Sequence, residues 1–63
     1  MTYEELLAEL AAKGHEYELG HRAVHILETP ESVALAQRVK NKHHVQVFTA
    51  GGRRRLHVNK AGY

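Results

Sequence analysis

The sequence predicts an α+β fold, with two helices packed on one face of a small antiparallel-rich sheet that closes in a C-terminal β-hairpin. Three observations carry this. Two segments begin on a threonine cap and repeat apolar residues at helical spacing. The last third of the chain alternates apolar and polar residues about a Gly-Gly pair. Two helices can cover only one face of a sheet, so the other face is left to solvent or to a ligand.

The first helix is read from TYEELLAELAAKG, Thr2–Gly14. Thr2 is the N-cap and Glu5 the third helical residue of a capping box. Tyr3, Leu6, Leu7 and Leu10 share one face, and Gly14 supplies a left-handed stop. The second helix is read from TPESVALAQRVKNK, Thr29–Lys42. Thr29 caps it, and Pro30 at the first helical position needs no donor. Val33, Leu35, Ala36 and Val39 form the apolar stripe, with Lys40 and Lys42 expected in the last turn, where cations suit the helix dipole.

The hairpin is read from HHVQVFTA-GG-RRRLHVN, residues 43–59. A two-residue turn at Gly51-Gly52 fixes the register. Ala50 then faces Arg53, Thr49 faces Arg54, Val47 faces Leu56 and Val45 faces Val58, and the apolar pairs share one face. The other side receives Phe48 opposite Arg55, Gln46 opposite His57 and His44 opposite Asn59. A one-residue slip would destroy this match. Residues 15–28, HEYELGHRAVHILE, switch parity near Gly20-His21. A strand–turn–strand and a single strand with a bulge at Gly20 both account for the switch. The halves TYEELLAELAAKGHEYEL…RAVHI and TPESVALAQRVKNKHHVQV…RRLHV read as two αββ units. The expected core is Leu6, Leu7, Leu10, Tyr17, Leu19, Val24, Ile26, Val33, Leu35, Val39, Val45, Val47, Leu56 and Val58.

A chain of 63 residues is one small domain, 1–63, and it holds no cysteine, so disulfides and thiolate metal sites are excluded. No apolar run approaches the roughly 20 residues of a membrane span. The glutamate-bearing start is unlike a signal peptide, so a cytoplasmic location is expected. Charge is unevenly spread. Residues 1–31 hold all seven acids and two strong bases, net −5, while residues 32–63 hold seven strong bases and no acid, net +7. Either the basic half meets an anionic partner, or the halves neutralise each other within the fold or across a dimer.

The candidate binding residues follow from this pattern. Arg53, Arg54 and Arg55 crown the hairpin end with fork-shaped donors suited to phosphate. Phe48, His57, Gln46 and His44 lie on the open face, and Lys40 and Lys42 are expected nearby. An aromatic beside arginine is how single strands are often held. The expected partner is nucleic acid, DNA or RNA, or another polyanion. The alternative is a small regulator or inhibitor docking on an acidic protein surface, such as a component of the transcription or nucleic-acid machinery. The same open face could join two copies as a homodimer. No cofactor or metal is expected. Of the six histidines, His21 and His25 on an extended chain stand about 13 Å apart. His25, His44 and His57 could converge across strands, but only glutamates such as Glu18 could complete a set. No nucleophile elbow or glycine-rich phosphate loop is present, so no enzymatic activity is expected.

Overall fold

The computed structural model describes residues 1–63. The chain runs through α1 (Tyr3–Ala12), β1 (Tyr17–Leu19), β2 (Ala23–Leu27), α2 (Pro30–Ala36), β3 (Val45–Ala50) and β4 (Arg53–Asn59), with 3-10 turns at Lys42–His44 and Lys60–Gly62. The four strands form one antiparallel sheet in the order β1-β2-β4-β3. Each half of the chain is thus a helix followed by a strand pair, and the second strand of each pair lies at the sheet centre. No helix is long and apolar enough to cross a membrane.

Both helix starts are built as the sequence predicts. Thr2 Oγ1 accepts from the Glu5 N–H at 3.1 Å, and Glu5 Oε1 accepts from the Thr2 N–H at 2.9 Å. Those hydrogen bonds hold the Glu5 carboxyl below the usual carboxylate range. Thr29 caps α2 in the same way, with Ser32 in place of the glutamate: Thr29 N–H donates to Ser32 Oγ at 2.8 Å and Ser32 N–H to Thr29 Oγ1 at 3.0 Å. Ser32 Oγ lies 2.8 Å from the Leu27 carbonyl oxygen and 3.1 Å from that of Thr29. The wholly buried Ser32 therefore ties the end of β2 to the start of α2.

The second helix is shorter than its sequence reading. It ends at Ala36, and the chain leaves through two tighter bonds, Arg38 N–H to Leu35 C=O and Val39 N–H to Ala36 C=O. This turn still buries Val39. Beyond it no apolar residue remains to hold another helical turn, and Arg38, Lys40 and Lys42 would repel along it. Asn41 instead accepts from the His43 N–H at 3.0 Å and donates its own N–H to the Gly62 carbonyl at 3.1 Å. Gly62 is the point of close approach here: a Cβ on it would lie 2.9 Å from His44 Cβ.

Residues 15–28 form a strand–turn–strand, with Tyr17 opposite Ile26, Glu18 opposite His25 and Leu19 opposite Val24. The hairpin register is as expected for all six pairs from Val45–Val58 to Ala50–Arg53. Gly51 and Gly52 take φ of 62° and 75°, the double positive φ of a type I′ turn. Tyr3, Leu6, Leu10, Val24, Ile26, Leu35, Ala36, Leu56 and Val58 make the core. Leu7, Tyr17, Val33 and Val45 flank it, partly buried. Two expected core residues are exposed instead, Leu19 at 65% and Val47 at 50%. Both sit on outer strands, where Tyr17 and Val45 reach the core but Leu19 and Val47 do not.

A helix-free sheet face as the candidate binding site

The open face is organised in two rows that run across all four strands. Register places Glu18, His25, His57 and Gln46 side by side. The next row is Glu16, Leu27, Arg55 and Phe48, with Glu16 placed by the Leu27 N–H donating to its carbonyl at 3.0 Å. Directly opposed residues share a face, so seven side chains from four strands, with Glu16 just before β1, converge on one surface.

Three rings form its centre. His25 Nε2 and His57 Nδ1 lie 3.0 Å apart in a hydrogen bond, with ring centroids 4.9 Å apart. One nitrogen donates and the other accepts, so the bond survives with at most one extra proton on the pair. Phe48 packs edge-on to both, its centroid 5.3 Å from His25 and 6.3 Å from His57. The two histidines occupy matching places in the αββ halves, each three residues after Arg22 or Arg54. Antiparallel pairing of the two central strands brings such equivalent positions face to face.

Beside the rings, one carboxylate gathers two arginines. Glu16 Oε2 lies 3.2 Å from Arg53 Nη1 and 3.5 Å from Arg55 Nη2. Arg54 pairs separately with Glu28, at 3.2 Å. All three arginines of the hairpin therefore meet glutamates of the acidic half, which identifies where the two halves of the chain neutralise each other. They are not equivalent. The Arg53 and Arg54 side chains remain 50% and 65% exposed, whereas Arg55 is 16% exposed and its Nη1 is buried with no hydrogen-bond partner. Arg55 is a packed part of the face and Arg53 its exposed cationic rim, whereas Arg54 alternates with Leu56 and Val58 onto the other side of the hairpin end.

The expected site residues separate into two groups. Arg53, Arg55, Phe48, His57 and Gln46 come together on the open face, and Arg54 stands at the same hairpin end but on the opposite side of the sheet, paired with Glu28. Lys40, Lys42 and His44 do not join them. His44 lies in the Lys42–His44 turn against Gly62 rather than in β3 opposite Asn59, because Asn41 ends the preceding segment by capping this turn. Lys40 and Lys42 leave the helix end for the same corner, at the far end of the six-residue β3 from the Gly51-Gly52 turn, about 20 Å away. Lys40 lines an open concavity of about 620 Å³ with Met1, Tyr3, Lys60 and Tyr63. Tyr63 stacks edge-on against Tyr3 there at 5.6 Å, and burial pushes its phenol up to about 12. His25 and Glu16, by contrast, belong to the centre of the face; alternation along the sequence places both on that side but does not mark them as binding residues. The matching Arg-x-x-His spacing of the two halves was the available signal for His25. No group of three or more histidine and glutamate side chains is placed to hold a metal ion.

No family model, curated protein or solved structure matches this chain.

Proposed function

We propose that the helix-free face and the adjoining β3–β4 end bind single-stranded nucleic acid, and that the protein acts by binding rather than by catalysis. The observation that carries this reading is the cluster of Phe48, His25 and His57 rings beside the exposed guanidinium of Arg53. Aromatic rings on an uncovered sheet accept unstacked bases, and neighbouring arginines take the phosphates. Gln46, exposed beside His57, offers both a donor and an acceptor to a base edge. The face has a polarity. Glu16 and Glu18 line the β1 side and repel phosphate, so the strand runs over β3 and β4. The ion pairs of Arg53 and Arg54 are exposed, and such pairs are worth about 0–1 kcal/mol, so a phosphate displaces the glutamates at little cost.

Phe48→Ala tests the reading. Loss of one stacked base costs about 1–3 kcal/mol, which is roughly a 5- to 150-fold weaker affinity for a labelled single-stranded oligonucleotide. An unchanged affinity in a folded variant removes Phe48 from the site and the reading with it.

A second reading has its own support: every arginine at the hairpin end is already matched by a glutamate, and Leu27 and Phe48 add apolar surface among groups of both signs. Such a face also suits a protein partner, with Phe48 and Arg55 as anchors. Recovery of one stoichiometric protein partner, in the absence of any oligonucleotide binding, selects this reading.

A further inference from the structure

We infer that the free edge of β3 is a second binding site, which accepts an extended acidic peptide segment as a fifth strand of the sheet. The inference does not depend on what the open face binds.

The backbone of the edge follows from the turn. In a two-residue type I′ hairpin the residues flanking the turn exchange both hydrogen bonds, and bonded and non-bonded pairs then alternate. Ala50–Arg53, Phe48–Arg55 and Gln46–His57 are thus the bonded pairs. Thr49–Arg54, Val47–Leu56 and Val45–Val58 are the non-bonded ones. The far side of β4 agrees with this phase: the Arg54 carbonyl accepts from the Glu28 N–H at 3.0 Å, so it points toward β2 and away from Thr49. Val45, Val47 and Thr49 therefore turn their N–H and C=O groups away from β4; the Val45 N–H already donates to the Lys42 carbonyl, which leaves two donors, Val47 and Thr49, and three acceptors along an outer strand.

Folded proteins usually block such an edge with charge, proline, a bulge or brevity. β1, the other outer strand, is three residues long and carries Glu18. β3 has six residues, VQVFTA, with no charge, no proline and an unbroken register. Val47 is 50% exposed on one side of this edge, and Phe48 is partly exposed on the other. A fifth strand would cover both, since strand addition supplies main-chain bonds for affinity and alternate side-chain contacts for selectivity.

Charge decides the occupant. Lys40, Lys42 and His43 lie just before β3, Arg53 and Arg54 just after it, and residues 32–63 contain no acid. The open-face glutamates Glu16 and Glu18 belong to the β1 side, three strands away, about 14 Å at ordinary strand spacing. A strand entering beside β3 meets Lys40 and Lys42 at one end and, at the other, Arg53 and Arg54, whose exposed pairs with Glu16 and Glu28 an acidic strand can replace at little cost. A second copy of the chain paired through its own β3 would bring two such basic segments together, which charge disfavours.

The test is selection of random ten-residue peptides displayed against the immobilised protein, with the selected peptides then synthesised. Enriched sequences should be net acidic, rich in alternate β-branched residues and free of central proline. Bound peptide should slow amide hydrogen exchange at Val47 and Thr49, while Val45, already bonded to the Lys42 carbonyl, and Gln46, Phe48 and Ala50, already bonded to β4, change little. Val47→Pro removes one of the two outward donors without touching the β3–β4 ladder, and should weaken binding by about tenfold. Thr49→Pro serves if the first variant does not fold. The inference is overturned if no peptide is enriched or if the enriched peptides are neutral or basic. It is equally overturned if the protected amides lie elsewhere, or if these two amides are protected by an oligonucleotide or by a second copy of the chain on sizing.

Discussion

Glu16→Gln separates the two roles that Arg53 has been given, intramolecular partner and phosphate contact. The substitution keeps the shape of the side chain and removes the carboxylate that lies 3.2 Å from Arg53 and 3.5 Å from Arg55. A phosphate on the same guanidinium would stand about 6 Å from that carboxylate, where two unit charges repel by about 0.7 kcal/mol in water and about 2.8 kcal/mol at an effective dielectric of 20. Glu16 is half exposed, so the lower figure applies. The variant should bind a fluorescent single-stranded oligonucleotide about threefold more tightly at low salt. The gain should shrink as salt rises. Anisotropy titrations measure the affinity, and a thermal melt checks that the fold persists. An affinity that is unchanged or lower in a folded variant refutes the claim that Glu16 competes with the ligand for Arg53.

Two further predictions concern what holds the face in place. Ser32→Ala strips the Leu27 carbonyl of its buried donor and the Thr29 N–H of its acceptor, and should cost about 1–3 kcal/mol in denaturant unfolding. A change below about 0.5 kcal/mol, the usual range of surface substitutions, would show that this link between β2 and α2 is dispensable. Tyr63 should be the last of the three tyrosines to ionise, near pH 12, when tyrosinate absorbance is followed as pH rises. Its folded pKa is raised above the unfolded value by burial, so its contribution to stability is complete below about pH 10 and is lost as pH climbs through about 12. Three tyrosines titrating together near pH 10 would contradict the packing of Tyr63 on Tyr3.

The parts of this fold that local chemistry dictates are legible in the sequence. Thr2 with Glu5, Thr29 with Pro30, and Gly51-Gly52 each specify a local geometry, and the alternation Val45, Val47, Leu56, Val58 then admits one register. Parity along β1 and β2 likewise places Glu18 and His25 on the open face. The misses arise where distant segments decide. Leu19 and Val47 alternate correctly but lie on outer strands, a fact of strand order that alternation does not contain. The helical stripe from Val33 to Val39 fits a longer α2, yet Asn41 and Gly62 hold the chain in a turn, an interaction across more than 20 residues. The Glu16 pairing of Arg53 and Arg55 needs β1, β2 and β4 to be neighbours. The sequence shows charge asymmetry between the halves, and only the assembled sheet shows which charges meet.

The central claim, phosphate contact at the hairpin end beside the ring cluster, is tested most directly by oligonucleotide affinity across a salt series. The wild-type protein is compared with the double variant Arg53→Gln/Arg54→Gln, which spares the packed Arg55. Each phosphate contact on a single strand contributes about −0.7 to the slope of log affinity against log salt. Two contacts predict a wild-type slope of about −1.4 or steeper, and a double variant shallower by about that amount. No binding at low salt, or the same slope in both proteins, would contradict it.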